Sequence, residues 1–319
     1  MNKHSRAFIC LALIFTLTAA GCSENGGNTN STDAASGSQS TDGAQTQAPG
    51  NTADSPYGTI KTIETPDSFT GNTGEVKIES GDTYAVIKIE GYEGEIKIKL
   101  FPEAAPEGVK NFIDSANSGY YTGKDIHRVV KEFMMQGGSA NGDGRSTEDD
   151  PEFYVEYNAK MRHFYGALCY ANAGGVNGRQ FYIVNNKTYS PVTADTYEYS
   201  MSEADYYIGV YEELLKTATE EEKEICNIYI NRYKSQKGSA QSSIRALEEN
   251  TQEITDKYDQ VGGTPYLDGG YTVFGQTVEG FEIIDAISGV EVEAQSGSTE
   301  ISHPVEKIII ESITIHTAE

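Results

Sequence analysis

The sequence predicts a mainly β domain with accompanying helices, opened in its middle by an inserted helical block. Three observations predict it. Runs alternating with a two-residue period stand at both ends of the folded region, Tyr84–Glu90 and Glu95–Phe101 near its start and Lys307–Ile315 at its close. Between residues 187 and 262 the apolar spacing changes to that of amphipathic helices. From Ser23 to about Pro56 the chain is Asn, Ser, Thr, Gly, Gln and Ala with almost no large apolar side chain, too little to offset chain entropy.

The N-terminus reads as an address. Lys3, His4 and Arg6 precede the apolar run Ala7–Ala20, which ends at Gly21 and Cys22. A basic start, a short apolar stretch and small residues before a cut describe a secretory signal over 1–21, and the run is short for a bilayer span. Ala19-Ala20-Gly21-Cys22 resembles a bacterial lipobox, which implies acylation of Cys22 and a lipid-anchored protein on the extracytoplasmic side of the cell membrane. Ala19 stands where that pattern usually has Leu, so ordinary signal-peptide cleavage is the alternative reading. Residues 22–72 are expected to be a disordered tether, its polar Ser23–Pro56 stretch reaching about 30 Å. The folded domain is expected over 73–319.

Within that domain, Tyr84–Glu90 and Glu95–Phe101 flank a glycine-containing turn and read as a hairpin. Pro102–Ser118 reads as a helix, with Pro106 near its start, Val109, Phe112 and Ile113 on one stripe, and Gly119 closing it. Ile126–Met135 reads as one strand, Gly137–Gly144 as a wide glycine-rich loop and Gly166–Asn172 as a further strand. That loop lacks the Lys-Ser/Thr of a phosphate cradle. In the helical block, Ser202–Asp205 and Thr219–Glu222 read as capping-box starts. A third stripe joins Ile244, Leu247, Ile254 and Tyr258. Tyr206, Tyr207, Tyr229 and Tyr233 are expected to be exposed there. β character returns at Tyr271–Gly275, a short helix is expected at Phe281–Ile287, and Lys307–Ile315 ends the domain. Terminal strands on both sides of the helical block need each other as partners, so 187–262 is an insertion within one domain.

A net charge of −24 leaves no basic field to displace counterions from phosphates, which argues against a nucleic-acid partner. Cys10, Cys22, Cys169 and Cys226 form no CxxC pair, and His4, His127, His163, His303 and His316 are scattered, so no spacing supports a metal site. Cys169 and Cys226 read as two buried, reduced thiols, with one disulfide as the other possibility.

Three separated segments carry the chemistry. They are His127-Arg128-Val-Val-Lys-Glu-Phe133-Met134-Met-Gln136-Gly-Gly, Ala171-Asn172-Ala-Gly-Gly-Val-Asn-Gly-Arg-Gln180-Phe181-Tyr182-Ile, and Tyr266-Leu267-Asp-Gly-Gly-Tyr271-Thr-Val-Phe274-Gly275. Taken singly each has an ordinary reading: Arg128 as a sheet-edge cation, Phe133 and Met134 as core, Asn177-Gly178 as a hairpin turn, His127 as a structural neighbour. In this order they resemble the three blocks of cyclophilins, over about Asp82 to Ile315 apart from the insertion. The resemblance implies a closed eight-stranded antiparallel barrel capped by two helices, with a substrate groove on its outer wall. It implies peptidyl-prolyl cis/trans isomerisation without a cofactor, on proline-containing polypeptides, by a monomer that assists the folding of exported proteins. By motif, Arg128 matches the catalytic arginine. Phe133, Met134, Gln136, Ala171, Asn172, Gln180, Tyr182, Tyr266, Leu267 and Tyr271 match substrate-binding positions. Ile126 replaces the customary Phe, Ser139 the Asp after Gln-Gly-Gly, Tyr266 a Trp or His, and Tyr271 a His. The last two put binding of cyclosporin-like peptides in question. A catalytically silent module that binds proline segments is the alternative from another class.

Overall fold

The computed structural model describes residues 60–173, 175–295 and 299–319. The leader 1–21, Cys22 and the first part of the tether lie outside the described residues. The tether expected over 22–72 is ordered from Ile60 onward, beyond the polar stretch that ends near Pro56. Strand β1 (Ile60–Thr62) pairs in parallel with Val155–Tyr157. Asn72 is fully buried, donating to Arg162 O at 2.8 Å and to Gln276 Oε1 at 3.0 Å while accepting from Arg162 N. Main-chain pairing, one asparagine and Phe69, which lies edge-on to Phe101 at 6.1 Å, tie this stretch down, and the first two leave no apolar signature.

The alternating pair forms the expected hairpin, β2 (Thr83–Ile89) with β3 (Ile96–Leu100). Ala85, Ile87, Ile89, Ile96, Ile98 and Leu100 all point into the main core, each large side chain contributing about 1.5–3 kcal/mol of burial. Helix α1 (Pro106–Asn117) follows, with Pro106 at its start. Gly119, at φ 75°, turns the chain away after it. Its fully buried Phe112 meets Phe181 edge-on at 5.7 Å and Phe274 at 5.3 Å. The stretch expected as one strand is a hairpin, β4 (Ile126–Val130) and β5 (Met134–Gly137), because Glu132 adopts φ 57° and reverses the chain. Strands β6 (Phe153–Tyr157), β7 (Ala167–Ala173) and β8 (Val176–Val184) complete the first half. Asn177-Gly178 is not the β7–β8 turn. Asn177 is buried inside β8, donating to Tyr154 O and Thr272 Oγ1 at 2.9 Å each, and Gly175 takes the positive φ of 78°.

The insertion comprises α2 (Ala194–Leu215), α3 (Glu220–Glu248) and α4 (Gln252–Val261). The Thr219 capping box is present, with Glu222 reaching back to the Thr219 N–H at 2.8 Å. The Ser202 one is not. Helix α2 begins after Thr193, and the Ser202 hydroxyl donates back to Glu198 O at 3.0 Å from inside the helix. The third stripe is divided, since α3 ends at Glu248 and Thr251 caps a new helix. Helices α2 and α3 bury a small core of their own, Ala204, Tyr211, Cys226, Ile230 and Tyr233. Tyr233 is therefore buried, whereas Tyr206 is 66% exposed. Tyr207 stacks on Tyr233 at 4.8 Å and Tyr229 on Tyr211 at 4.9 Å. Cys169 and Cys226 are both buried and outside any disulfide, as the reduced-thiol reading has it.

After a 3-10 turn at Pro265–Leu267 come β9 (Val273–Glu279), α5 (Phe281–Ser288), the hairpin β10 (Val292–Ala294) with β11 (Ile301–Pro304), and β12 (Ile310–Thr317). Among the described residues ten strands form the main sheet, in the order β1-β6-β8-β7-β9-β3-β2-β12, with β5 also on β8 and β4 on β5. The closed, eight-stranded, wholly antiparallel barrel is corrected on three counts. The sheet has two more strands, β1–β6 is parallel, and the ladder does not close. The chain just ahead of β4 meets the start of β12 only locally, through an isolated bridge from Asp125 to Ile309 and main-chain bonds between Ile310 and Gly123 and Lys124. Terminal strands do close on one another across the insertion, through β12–β2. Helices α1 and α5 pack on the sheet core through Val109, Phe112, Ile283, Ile284 and Ile287.

Ala105 cannot cap α1, so β6 supplies the acceptor. Glu156 takes the N–H of Gly108 at 2.9 Å and of Glu107 at 3.2 Å. Burial raises the pKa of that carboxyl, opposed by those two backbone bonds. Glu156→Ala should lower the unfolding free energy by about 1–2 kcal/mol, the range for a lost N-terminal cap, read from denaturant midpoints. An unchanged midpoint would remove Glu156 from that role.

Candidate functional site

Register places the site. Arg128 on β4 stands opposite Gln136 on β5, Gln136 opposite Tyr182 on β8, Tyr182 opposite Cys169 on β7, and Cys169 opposite Val273 on β9. Directly paired residues share a face, so one row crosses five strands on the outer wall. The next row sets Val130, Met134 and Val184 beside it. Their sequence neighbours Met135, Tyr170, Phe181 and Ile183 enter the inner core, while Met134, Cys169, Tyr182 and Val184 form a second cluster with Leu267 and Val273. These strands are buried on both faces, and the outer burial is the floor of a groove.

The groove encloses about 360 Å³ and is lined by Arg128, Phe133, Met134, Gln136, Ala171, Asn172, Tyr182, Leu267 and Tyr271, nine of the eleven residues singled out by motif. Gln180 and Tyr266 are not on its lining, though each touches a residue that is. Gln136 donates to Gln180 Oε1 at 3.0 Å, and Gln180 donates to Gly144 O at 3.0 Å. Tyr266, 45% exposed, lies 6.0 Å from the Phe133 ring.

Each side chain is held from behind. The β4–β5 turn delivers Phe133, whose N–H donates to Asn185 Oδ1 at 2.8 Å. The Arg128 guanidinium lies 5.7 Å from the Phe133 ring centre. Its Nη1 faces Met134 Sδ and Gln136 Oε1, each at 3.5 Å. Asn172 spends its amide on the main chain, donating to Gly270 O at 3.2 Å and accepting from Gly175 N at 3.3 Å. Tyr182 is buried and its hydroxyl lies 3.0 Å from His163 Nε2. His163 Nδ1 is 2.7 Å from Asp268 Oδ1, and the Tyr258 hydroxyl of α4 donates to Asp268 Oδ2 at 2.7 Å. Burial pushes the Tyr182 phenol well above its ordinary pKa, so it stays neutral.

Seven further lining residues escaped the motif reading as site members: His127, Asp143, Gly144, Gln295, Glu300, Ser302 and His303. Glu300 is the most consequential, its carboxylate holding Arg128 Nε at 3.0 Å and Nη2 at 2.6 Å. A pairing across 172 residues, from a segment without periodicity, leaves no signal in spacing. His127 could have been found, being adjacent to Arg128 in the first block. It is buried, and neither ring nitrogen has a hydrogen-bond partner among the described residues. Among the described residues no group of three or more His, Cys, Asp or Glu is arranged to hold a metal.

The family model "Cyclophilin type peptidyl-prolyl cis-trans isomerase/CLD" matches residues 84–201 and 226–315. A Staphylococcus epidermidis protein bearing the name of a peptidyl-prolyl cis-trans isomerase is 30% identical over 247 residues, 76% of this chain and 98% of its own. A Streptococcus pyogenes protein named as a bifunctional phosphatase/peptidyl-prolyl cis-trans isomerase is 32% identical over 72% of this chain and 38% of its own. A crystal structure of a Cryptosporidium parvum cyclophilin-type isomerase is 19% identical, covering 75% of this chain and 99% of its own with a TM-score of 0.44.

Burial, with the charge of Arg128 adding to it against Asp125, lowers the His127 pKa from 6.5 to about 4. Between those values the unfolded chain binds the proton and the folded one does not. Stability from this residue is full above about pH 6.5 and is lost as pH falls toward 4, by about 3 kcal/mol at most. His127→Phe should flatten that acid limb of the unfolding free energy. Parallel limbs in both proteins would contradict the assignment.

Proposed function

This chain belongs to the cyclophilin-type peptidyl-prolyl cis-trans isomerase family and is an isomerase of that type, and from that premise we propose how its groove works and where. The observation that carries the reading is the meeting of a single guanidinium with an apolar pocket on one sheet face, Arg128 beside Phe133, Met134, Tyr182 and Leu267. The substrate is a proline-containing polypeptide. Its proline ring enters the apolar pocket, and the preceding residue lies along Ala171 and Asn172.

Rotation about an amide faces a barrier of about 18–20 kcal/mol, set by resonance, and unaided Xaa-Pro bonds take tens to hundreds of seconds. No bond is made or broken, so no nucleophile is needed. As the C–N bond twists, its nitrogen leaves resonance and regains a lone pair. A guanidinium N–H beside it donates a hydrogen bond that exists only in the twisted state, which lowers the barrier selectively. The apolar pocket strips water from the planar, more polar amide and fixes the ring. A saving of about 5–7 kcal/mol would supply four to five decades of rate. Gln136, braced by Gln180, and Asn172, braced by Gly270, hold the substrate main chain.

Place and clients follow from the N-terminal sequence. A signal over 1–21 and an acylated Cys22 would put the enzyme on the extracytoplasmic face of the membrane as a lipid-anchored monomer, acting on exported proteins as they fold. The polar stretch after Cys22 supports this reading, because an anchored domain needs reach.

The test is isomerisation of a chromogenic Xaa-Pro peptide by wild type and Arg128→Ala. Wild type should be fast and the variant slower by about 100-fold or more, with its near-UV circular dichroism intact, since the guanidinium is a quarter exposed. A folded wild type without turnover would favour a silent proline-binding module. Unfolding of the variant would remove Arg128 from the groove.

A further inference from the structure

Arg128 has a long, flexible side chain at the rim of the groove, and its chemistry requires one N–H at a fixed place. A free guanidinium would sample several rotamers, at about 2 kcal/mol of side-chain entropy to restrain. Two neighbours flank it. On one side β5 offers Gln136 Oε1 and Met134 Sδ, both at a long 3.5 Å, too weak to orient the fork. On the other side β11 runs beside β4, fastened where His303 Nδ1 meets His127 O at 3.0 Å. Glu300, the residue just before β11, enters the groove from there.

We propose that Glu300 is a positioning residue for isomerisation, setting the Arg128 guanidinium so that Nη1 is presented to the twisting amide. This rests on the reading of Arg128 as the catalytic group. The carboxylate takes Nε at 3.0 Å and Nη2 at 2.6 Å, a two-point grip that fixes both the position and the plane of the guanidinium. The remaining nitrogen, Nη1, lies on the edge facing Met134 and Gln136, both groove residues. The pair sits at 25% and 18% side-chain exposure, sheltered enough to hold and open enough for substrate to reach it.

Such a carboxylate also weakens the positive field that the amide nitrogen feels. Glu300 is not aligned with that nitrogen, since it occupies the opposite edge of the fork. Loss of a near-attack arrangement by about 1 Å costs up to about 100-fold, so orientation outweighs the field.

The experiment measures kcat and KM for a proline peptide with the full chain, as wild type, Arg128→Ala, Glu300→Ala, Glu300→Gln and the double alanine variant, each checked by near-UV circular dichroism. Glu300→Ala should lose about 10- to 100-fold in kcat with KM within about twofold. Glu300→Gln, which keeps one oxygen acceptor, should fall between. The double variant should be no slower than Arg128→Ala, because Glu300 acts only through that side chain. Unchanged or faster turnover in Glu300→Ala would overturn the proposal, making the carboxylate a bystander or a restraint. Additive losses in the double variant would overturn it too, as an effect on the fold. A folded wild type without turnover would overturn the isomerase reading, and this one with it, whereas an active wild type with a silent Glu300→Ala difference overturns only this one.

Discussion

In β5, β7 and β8 successive side chains point to opposite faces of the sheet, and in this chain both faces are apolar. Met135, Tyr170, Phe181 and Ile183 fill the inner core, and Met134, Cys169, Tyr182 and Val184 back the groove. A slip of one residue in register would exchange the two sets. Core packing therefore specifies the site: Phe112 of α1, wedged against Phe181 and Phe274, holds the register that leaves Tyr182 facing outward. The groove needs no separate scaffold, because its floor is the reverse side of the core.

The second constraint is electrostatic and ties the insertion to that floor. Asp268 is buried next to Leu267, and a buried carboxylate is costly unless its oxygens are satisfied. They are. Oδ1 accepts from the His163 main chain at 2.9 Å and faces His163 Nδ1, and Oδ2 accepts from Tyr258 of α4. Arg162 is fully buried with its Nε 3.6 Å from Asp268 Oδ2; that Nε donates to Asn250 Oδ1, while Nη1 and Nη2 donate to Met161 O and Ala246 O. Ala246 lies in α3, so the buried charges are compensated in part by the inserted helices. Remove those helices and Asp268 loses one donor and Arg162 two acceptors. The insertion is thus part of what makes the turn carrying Tyr266 and Leu267 affordable, while its far end keeps a separate tyrosine-rich core.

How much of this was legible follows from range. Period-two alternation is local, so the β2–β3 hairpin and β12 could be read from neighbours alone. The Thr219 cap is local as well, needing only Glu222 three residues on. Ser202 satisfied the same pattern and failed, because Tyr197 already packs as a buried helical residue five positions earlier. β1 and Asn72 were missed for the opposite reason. Their stabilisation is hydrogen bonding to Tyr157 and Arg162, which composition cannot register. At the site, the motif residues were legible as separate blocks, but what sets them side by side is register among β4, β5 and β8. Glu300 and His303 come from a segment with no pattern of its own, so only the folded chain brings Glu300 to Arg128 and His303 to the His127 main chain.

Two tyrosines of the groove differ in where they stand, one in its floor and one at its rim. Tyr182 is buried with its hydroxyl tied to His163, whereas Tyr266 stands 45% exposed above Phe133. Tyr271 meets Tyr182 edge-on at 6.2 Å. Each phenol carries an apolar ring and one polar tip, and at Tyr266 that ring stands partly in solvent. In the proposed mechanism, rotation of an amide demands little more than an apolar grip and one well-aimed donor. Such economy of chemistry makes few demands on the rim, so on the proposed mechanism substrate preference would be set there, around Tyr266 and Tyr271, and the rate by Arg128 beside its apolar pocket.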